Sequence, residues 1–336
     1  MNKLPFVSII LPCYNEEEFI EATINSIFNS SYPSEKIEIL IIDGMSTDNS
    51  MKIINELTHN HDNIRFFKNK KQLLAPALNI GLRNGRGEIF VRLDAHSKMN
   101  KDYISNCVKL LQDDVADVVG GILINEPYDN SILSKTIALA LTSPFGVGNA
   151  SHRIGIKGKT QYVDSVPFGS FSKKLIDEIG HYNEKCNRSE DIEFYHRVKA
   201  TGRKIIISSE IIVSYICNNA MNMIKRYFRN GVDVTQYYFR DDIIAFRPRH
   251  LIPFFFFCGI LLALMMYIIF SNYLLFLFIL IPYLILGIIF SFIMAFKEHD
   301  FRLALIAPLV FFTLHIAHGL GAFIGVFIGK FSSSRY

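Results

Sequence analysis

A carboxylate and an imidazole stand two residues apart at Asp94-Ala95-His96, directly after the apolar residues Ile89, Phe90, Val91 and Leu93. At the carboxyl end of a strand they can supply two ligands to a divalent cation, which neutralises negative charge growing on a leaving group. Taken alone, Asp-x-His is a weak pattern, because an aspartate at a strand end also serves as a helix cap or turn former. Pro12-Cys13-Tyr14-Asn15-Glu16-Glu17 and Asp43-Gly44-Met45-Ser46-Thr47-Asp48 follow apolar runs in the same way. Further on, Ser189-Glu190-Asp191-Ile192-Glu193 opens a stretch of helical composition that closes on Arg197 and Gly202. A carboxylate such as Asp191 can take the proton of an attacking hydroxyl. Acids also suit a first helical turn for its dipole, Asp43 suits a cap for a helix starting near Thr47, and Tyr14 suits packing.

The elements that must position these groups alternate in type. Residues 7–12 read as a strand and 17–29 as a helix with Phe19, Ile20, Thr23 and Ile27 on one side. Residues 38–43 read as a strand, 48–59 as a helix, 64–68 as a strand, 73–84 as a helix and 88–94 as a strand. This β-α-β-α-β-α-β order predicts an α/β fold with a mostly parallel sheet flanked by helices, whose ligands bind where the strands end. Tyr14, Asn15, Asp43, Asp94 and His96 are therefore expected around one crevice. Later, 116–124 reads as a strand, 131–142 as a helix and 143–161 as a Gly-rich basic loop long enough to be functional. Residues 162–168 then read as a strand, 190–200 as a helix and 204–216 as a strand or hairpin.

With 336 residues the chain exceeds one usual domain of about 100–200 residues. The excess is apolar: residues 251–296 and 303–329 contain no Asp, Glu, Lys or Arg. A spanning helix needs about 20 such residues, so three transmembrane helices are expected, with two plus a re-entrant segment as the alternative. Lys225, Arg226, Arg229, Arg240, Arg247 and Arg249 precede the first span, and Lys297 and Arg302 separate the second from the third. By the positive-inside rule both flanks, and with them the large domain, are cytoplasmic. Lys330 and Arg335 would then lie outside. The apolar residues 4–11 end too soon, at Pro12 and the acids 16–18, to read as a secretory signal. The expected division is 1–220 for a catalytic domain, 221–250 for a basic amphipathic interfacial segment and 251–330 for a membrane domain in the inner membrane. A net charge of +4 is too small to argue for nucleic acid, and the five cysteines show no paired spacing for zinc or disulfides.

Taken in order, these motifs resemble those of the family 2 inverting glycosyltransferases with the GT-A fold, over roughly residues 5–217. Within that family the chain is similar to bacterial exopolysaccharide enzymes of the succinoglycan glucosyltransferase type, which share an Asp-Gly-x-Ser loop, an Asp-Ala-His motif and a Val-Pro-Phe-Gly segment (here Val166 to Gly169). The resemblance implies that Pro12, Tyr14, Glu16, Asp43 and Asp94 bind a nucleotide-sugar donor, with Tyr14 against the base ring and Asp43 accepting a hydrogen bond from it. It implies that Asp94 and His96 hold Mn²⁺ or Mg²⁺, histidine tilting the choice toward Mn²⁺. Asp191 becomes the general base, with Glu190 beside it toward the acceptor. The acceptor implied is a lipid-linked saccharide in the membrane.

The chain departs from the family in two places. Many relatives carry Asp-x-Asp where Asp94-Ala95-His96 stands, and processive members carry Gln-x-x-Arg-Trp after the base, whereas this chain has no Trp. In the corresponding place Arg226 could contact the diphosphate and Tyr227 could supply the aromatic wall; the same segment reads equally as a basic helix lying on anionic lipid. Single-sugar transfer is therefore expected, with a processive synthase and a catalytically silent scaffold of an assembly complex as alternatives. No Gly-x-Gly-x-x-Gly follows the first strand, which excludes dinucleotide redox chemistry there. In the last apolar run, His315 and His318 suit interhelical hydrogen bonding, and Gly321, Gly325 and Gly329 offer a face for close helix packing, including that of a homodimer.

Overall fold

The computed structural model describes residues 4–186, 190–217, 219–240 and 250–332. Ser189, Arg247, Arg249 and Arg335 lie outside these residues, as do the side chains of Arg240 and Lys330. The chain divides into two compact units, Met1–Ile124 with Gly155–Tyr215 and Asn125–Ile154 with Ile216–Tyr336.

The first unit is built on β1 (Val7–Cys13), β2 (Ile37–Asp43), β3 (Ile64–Lys68) and β4 (Ile89–Arg92), linked by α1 (Ile20–Phe28), α2 (Ser50–Asn60) and α3 (Leu74–Asn84). The four strands are parallel, in the order β3-β2-β1-β4. Nearly every residue of β1, β2 and β4 is buried, as expected of parallel strands covered on both faces. Their two-residue alternation sends Val7, Ile9 and Leu11 into one core with Ile20, Ile24 and Ile27 of α1, and Ile10, Leu40 and Ile42 into another with Leu78 and Leu82 of α3. Gly81 allows α3 to come this close, because a Cβ there would run into the Ile10 side chain.

The sheet then changes character. After β4 come β5 (Ser97–Met99), α4 (Tyr103–Gln112) and β6 (Val118–Glu126). The helices α5 (Ile132–Ala140), α6 (Pro144–Val147) and α7 (Ser151–Ile154) belong to the second unit, and β7 (Thr160–Tyr162), β8 (Ser170–Ser172), α8 (Lys173–Ile179), α9 (Glu190–Ala200) and β9 (Ile205–Ile216) follow. Here β8 pairs antiparallel with both β4 and β6, and β9 with β5 and β7. Among the described residues this makes a nine-stranded mixed sheet, β3-β2-β1-β4-β8-β6-β9-β5 with β7 on β9.

Three local expectations change. The strand expected at 162–168 is instead β7 ending at Tyr162 and β8 beginning at Ser170, because Pro167 lacks a ladder donor and Phe168 turns to a left-handed φ of 50°. Residues 143–161 hold α6 and α7, with Pro144 in the first turn of α6, where its missing N–H costs nothing. A helix with no counterpart in the sequence reading, α4, buries Tyr103, Ile104, Cys107 and Val108.

The second unit adds α10 (Ala220–Arg240), α11 (Ile252–Phe270), α12 (Leu274–Glu298) and α13 (Arg302–Ser332). Three segments of these are long and apolar enough to cross a membrane: Ile252–Phe270, Leu274–Glu298 and Arg302–Ile328. Only 6% and 11% of the apolar windows of α11 and α12 are buried within the chain, against 39% for α13, so α13 is the helix around which the others assemble. Ile137, Ala138 and Ala140 of α5, Leu141 just after it and Met223 of α10 pack with Leu303, Ala307, Val310, Phe311 and Leu314 of α13. This burial places Asn125–Ile154 in the second unit with α10–α13.

The glycine face of α13 is used inside the chain. A Cβ on Gly321 would strike the Phe228 carbonyl of α10, and one on Gly325 would strike Thr235. Thr235 Oγ1 donates to the Ala322 carbonyl at 2.9 Å across the same crossing. The segment expected as an interfacial helix is thus α10 seated on α13, with residues 241–249 outside the described residues. His315 Nδ1 bonds Tyr283 Oη of α12 at 2.9 Å, the interhelical bond expected of it.

Candidate active site

The carboxyl ends of β1, β2 and β4 carry the groups singled out in the sequence, and each is held by its own turn. After β1, Asn15 takes a left-handed φ of 55°, its N–H donates to Ser46 Oγ at 2.9 Å, and its Oδ1 accepts from Thr47 N–H at 2.8 Å. These bonds tie the β1 loop to the β2 loop. Pro12 ends β1 beside it, and Tyr14 stays 53% exposed with its ring over Gly44, free to receive a planar ligand.

Asp43 is 1% exposed. Its Oδ2 accepts from Met45 N–H at 2.9 Å, and its Oδ1 accepts the Ser46 hydroxyl at 2.5 Å. The carboxylate therefore folds its own loop, holding the Met45 and Ser46 N–H groups and the Ser46 hydroxyl. The N-cap of α2 is Asn49, and just before it Asp48 Oδ1 accepts from Ser50 N–H at 2.9 Å.

The backbone of Asp94-Ala95-His96 is pinned on three sides. Leu93 N–H donates to Ile10 O at 3.0 Å, Thr23 Oγ1 donates to Ala95 O at 2.7 Å, and Ser97 Oγ donates to Asp94 O at 2.9 Å. Within this turn His96 lies between Glu16 Oε1, 2.8 Å from Nδ1, and Tyr215 Oη, 2.9 Å from Nε2. Burial, the largest single influence, works against the charge of His96, but the Glu16 hydrogen bond and charge, Tyr215 and Asp94 together outweigh it, and the ring is pushed up to about 10.

Arg92 is the centre that the sequence reading missed. Its guanidinium is buried, 3.5 Å from Asp94 Oδ1, 3.6 Å from Glu190 Oε1 and 6.0 Å from the Phe168 ring centre. Burial disfavours its charge, yet Asp94, Glu190 and Asp191 together hold it firmly protonated. Arg92 thus joins the β4 motif to the first turn of α9, which neither spacing nor strand order revealed. The one available signal was an arginine inside an otherwise apolar strand.

The two acids of α9 differ. Glu190 is 4% exposed, and burial first, then the Asp191 charge, lift it to about 7 against the pull of Arg92. Asp191 is only half-buried, with Oδ1 accepting its neighbour Ile192 N–H at 2.8 Å. A substrate can reach Asp191 but not Glu190. Since the folded chain holds the Glu190 proton more tightly than the unfolded chain does, the resulting stability is fully present below pH 4.5 and lost as pH rises through about 7. Glu190→Gln should flatten that decline, which melting temperatures of the two proteins between pH 4.5 and 8 would show.

The strap leading to these acids is fastened from both sides. The buried Asn79 side chain accepts from Tyr182 N–H and donates to Tyr182 O, both at 2.9 Å, while Arg197 of α9 donates to Ile179 O at 2.6 Å and His181 O at 2.8 Å. The Tyr182 ring lies 4.6 Å from that of Phe194, completing the attachment to α9. Arg226 and Tyr227 belong to the second unit, where both are half-buried and burial pushes the Tyr227 phenol up against the pull of Arg153 and Arg226. A separate cleft of about 440 Å³ is lined by Asp114, Asp117, Glu178, Arg203 and Lys204, and in it Arg203 bonds both Asp117 and Glu178.

Among the described residues no three His, Cys, Asp or Glu side chains converge as a metal cage. The donor set fits a cation held by two protein ligands and completed by phosphate oxygens, as hard cations often are. Asp94 offers a carboxylate, 24% exposed, and His96 offers Nε2 once the Tyr215 hydroxyl gives way.

Comparison with known proteins identifies the family. The model of the family "Glycosyl transferase family 2" matches residues 8–180. The chain is 30% identical over 235 residues to the dolichyl N-acetyl-alpha-D-glucosaminyl phosphate 3-beta-D-2,3-diacetamido-2,3-dideoxy-beta-D-glucuronosyltransferase of Methanococcus voltae, covering 68% of this chain and 71% of that one. It is 27% identical over 210 residues to the succinoglycan biosynthesis protein ExoA of Rhizobium meliloti, covering 62% of each chain. Among solved structures, the mannosyltransferase PcManGT from Pyrobaculum calidifontis, in complex with GDP-Man and Mn²⁺, superposes with a TM-score of 0.65 at 18% identity, over 98% of this chain and 89% of that one.

Proposed function

The chain belongs to glycosyl transferase family 2, and from that premise we propose that it moves one sugar, with inversion, from a nucleotide diphosphate sugar to a lipid-linked saccharide in the membrane. The fold is GT-A, and the activity is that of a glycosyltransferase carrying three apolar helices. The observation that carries the finer reading is Arg92, which gathers Asp94 at the end of β4 and Glu190 in the first turn of α9 around one buried charge. Donor-side and acceptor-side groups thereby share one crevice.

In this reading Tyr14 stacks on the base, while the loop shaped by Asp43 and tied to Asn15 supports it, with Pro12 and Glu16 fixing the neighbouring turn. The donor is a UDP-sugar. Asp94 and His96 would hold a divalent cation, whose charge offsets that of the departing diphosphate. Asp191 takes the proton of the acceptor hydroxyl as that oxygen attacks the anomeric carbon opposite the leaving group, so configuration inverts. Glu190 remains buried behind it and holds Arg92. In the second unit, Arg226 and Tyr227 serve the acceptor or diphosphate.

The lipid-linked acceptor is supported by the Methanococcus relative, whose name specifies a dolichyl-linked sugar phosphate. Lys225, Arg226, Arg229, Lys297 and Arg302 favour a cytoplasmic catalytic unit in the inner membrane. The test is incubation of membranes containing the protein with a panel of labelled nucleotide sugars and Mn²⁺, followed by extraction of lipid. One donor should label a lipid-linked product by a single sugar, and EDTA should abolish labelling. A ladder of products would indicate a processive synthase, donor binding without transfer would indicate a scaffold, and turnover in EDTA would remove the cation.

A further inference from the structure

Glu16, His96 and Tyr215 form a hydrogen-bonded chain across three elements: the loop after β1, the turn after β4, and β9. The first link is half of a familiar metal-site arrangement, a carboxylate bonded to the nitrogen of a histidine that faces away from the metal. That link is built rigidly. Glu16 N–H donates to Ser50 Oγ at 2.7 Å, and Thr23 pins the backbone beside His96. With Nδ1 engaged, Nε2 is the only ring atom left for a cation.

Nε2 already has a partner. Tyr215 Oη stands 2.9 Å from it, and a metal bound to an imidazole nitrogen needs that same direction at about 2.0–2.1 Å. Both cannot be accommodated, so one must leave. Tyr215 is poorly placed to swing away: it is 5% exposed, in register with Ser97 across the β5–β9 pair, and stacked 6.3 Å from the Phe168 ring. Its hydroxyl is presented to His96 by the fold.

We propose that the Tyr215 hydroxyl occupies the coordination position of His96 and thereby weakens the hold of the site on its cation. Tyr215 is in this sense a positioning residue for release as well as for order. When the cation departs, the hydroxyl restores the partner of Nε2 and keeps the ring in place for the next donor. The inference rests on the reading of His96 as a ligand.

The experiment is titration of the purified full-length protein, in detergent, with Mn²⁺ alone, following free Mn²⁺ by electron paramagnetic resonance. Tyr215→Phe should tighten Mn²⁺ binding roughly three- to tenfold, the size of one net hydrogen bond. Tyr215→Met, which also lacks the hydroxyl, should tighten it too and serves if the first variant folds poorly. His96→Ala should weaken binding, and adding Tyr215→Phe to it should change nothing more. A purely structural tyrosine would loosen the site when altered, so an unchanged or weaker affinity in both Tyr215 variants, with His96→Ala still weakening binding, overturns the inference. If His96→Ala leaves affinity unaltered, the ligand reading itself fails and the inference falls with it.

Discussion

Asp191→Asn should lower kcat for sugar transfer by about 10²- to 10⁴-fold, the usual contribution of a positioned general base, while leaving donor affinity unchanged. The exchange keeps the shape of the side chain and its bond to Ile192 N–H, since the amide oxygen can accept as Oδ1 does. It removes only the ability to take a proton. Glu190→Gln is the control, because Glu190 is buried and paired with Arg92 where an acceptor hydroxyl cannot reach it. Its loss should be much smaller. Single-turnover transfer and equilibrium binding of the donor, measured on both variants, separate the outcomes: near-normal transfer by Asp191→Asn with donor binding intact removes the assignment, and a larger loss in Glu190→Gln transfers it to Glu190.

Arg92→Met is expected to destabilise the protein by about 3–5 kcal/mol, the range for removing one partner from a buried ion pair. Two carboxylates depend on this guanidinium, and both distances, 3.5 and 3.6 Å, are long for hydrogen bonds, so the interaction is chiefly one of charge. Glu190 has little water to turn to. Asp94 is more exposed and should suffer less. Thermal and denaturant unfolding of Arg92→Met should show the loss, and Arg92→Met with Glu190→Gln should recover a good part of it, because the second change removes the stranded charge. If the single variant unfolds like the parent, the charge cluster contributes nothing to the fold and its role is confined to the substrate.

These two predictions concern residues that were not equally visible in the sequence. Asp191 could be named because acids before a helix recur in a motif order. Arg92 could not, since nothing in the run Ile89, Phe90, Val91 tells where an arginine in the strand will send its side chain. Likewise Glu16 could be placed near the nucleotide, but its bond to His96 depends on two loops 80 residues apart meeting above the sheet. Tyr215 lies 119 residues from His96 and reaches it only because β9 pairs antiparallel with β5.

The amino-acid sequence by itself determined the parallel half of the sheet, the ends of β1, β2 and β4 where polar residues gather, and the three apolar helices. Each follows from a local rule: strands covered on both faces are apolar throughout, strand ends project their loops into one crevice, and a bilayer demands a minimum apolar length. Tertiary structure alone decided the antiparallel half, the assignment of residues 125–154 to the helical unit, and the burial of Gly321 and Gly325 under α10. It also decided what the site aspartates and histidine do, turning Asp43 inward to its own loop and setting His96 between Glu16 and Tyr215. The physical reason is one of range. Hydrophobic periodicity acts within an element and is written in consecutive residues, whereas the partner of a buried charge or imidazole is whichever group the packing of distant elements brings within about 3 Å.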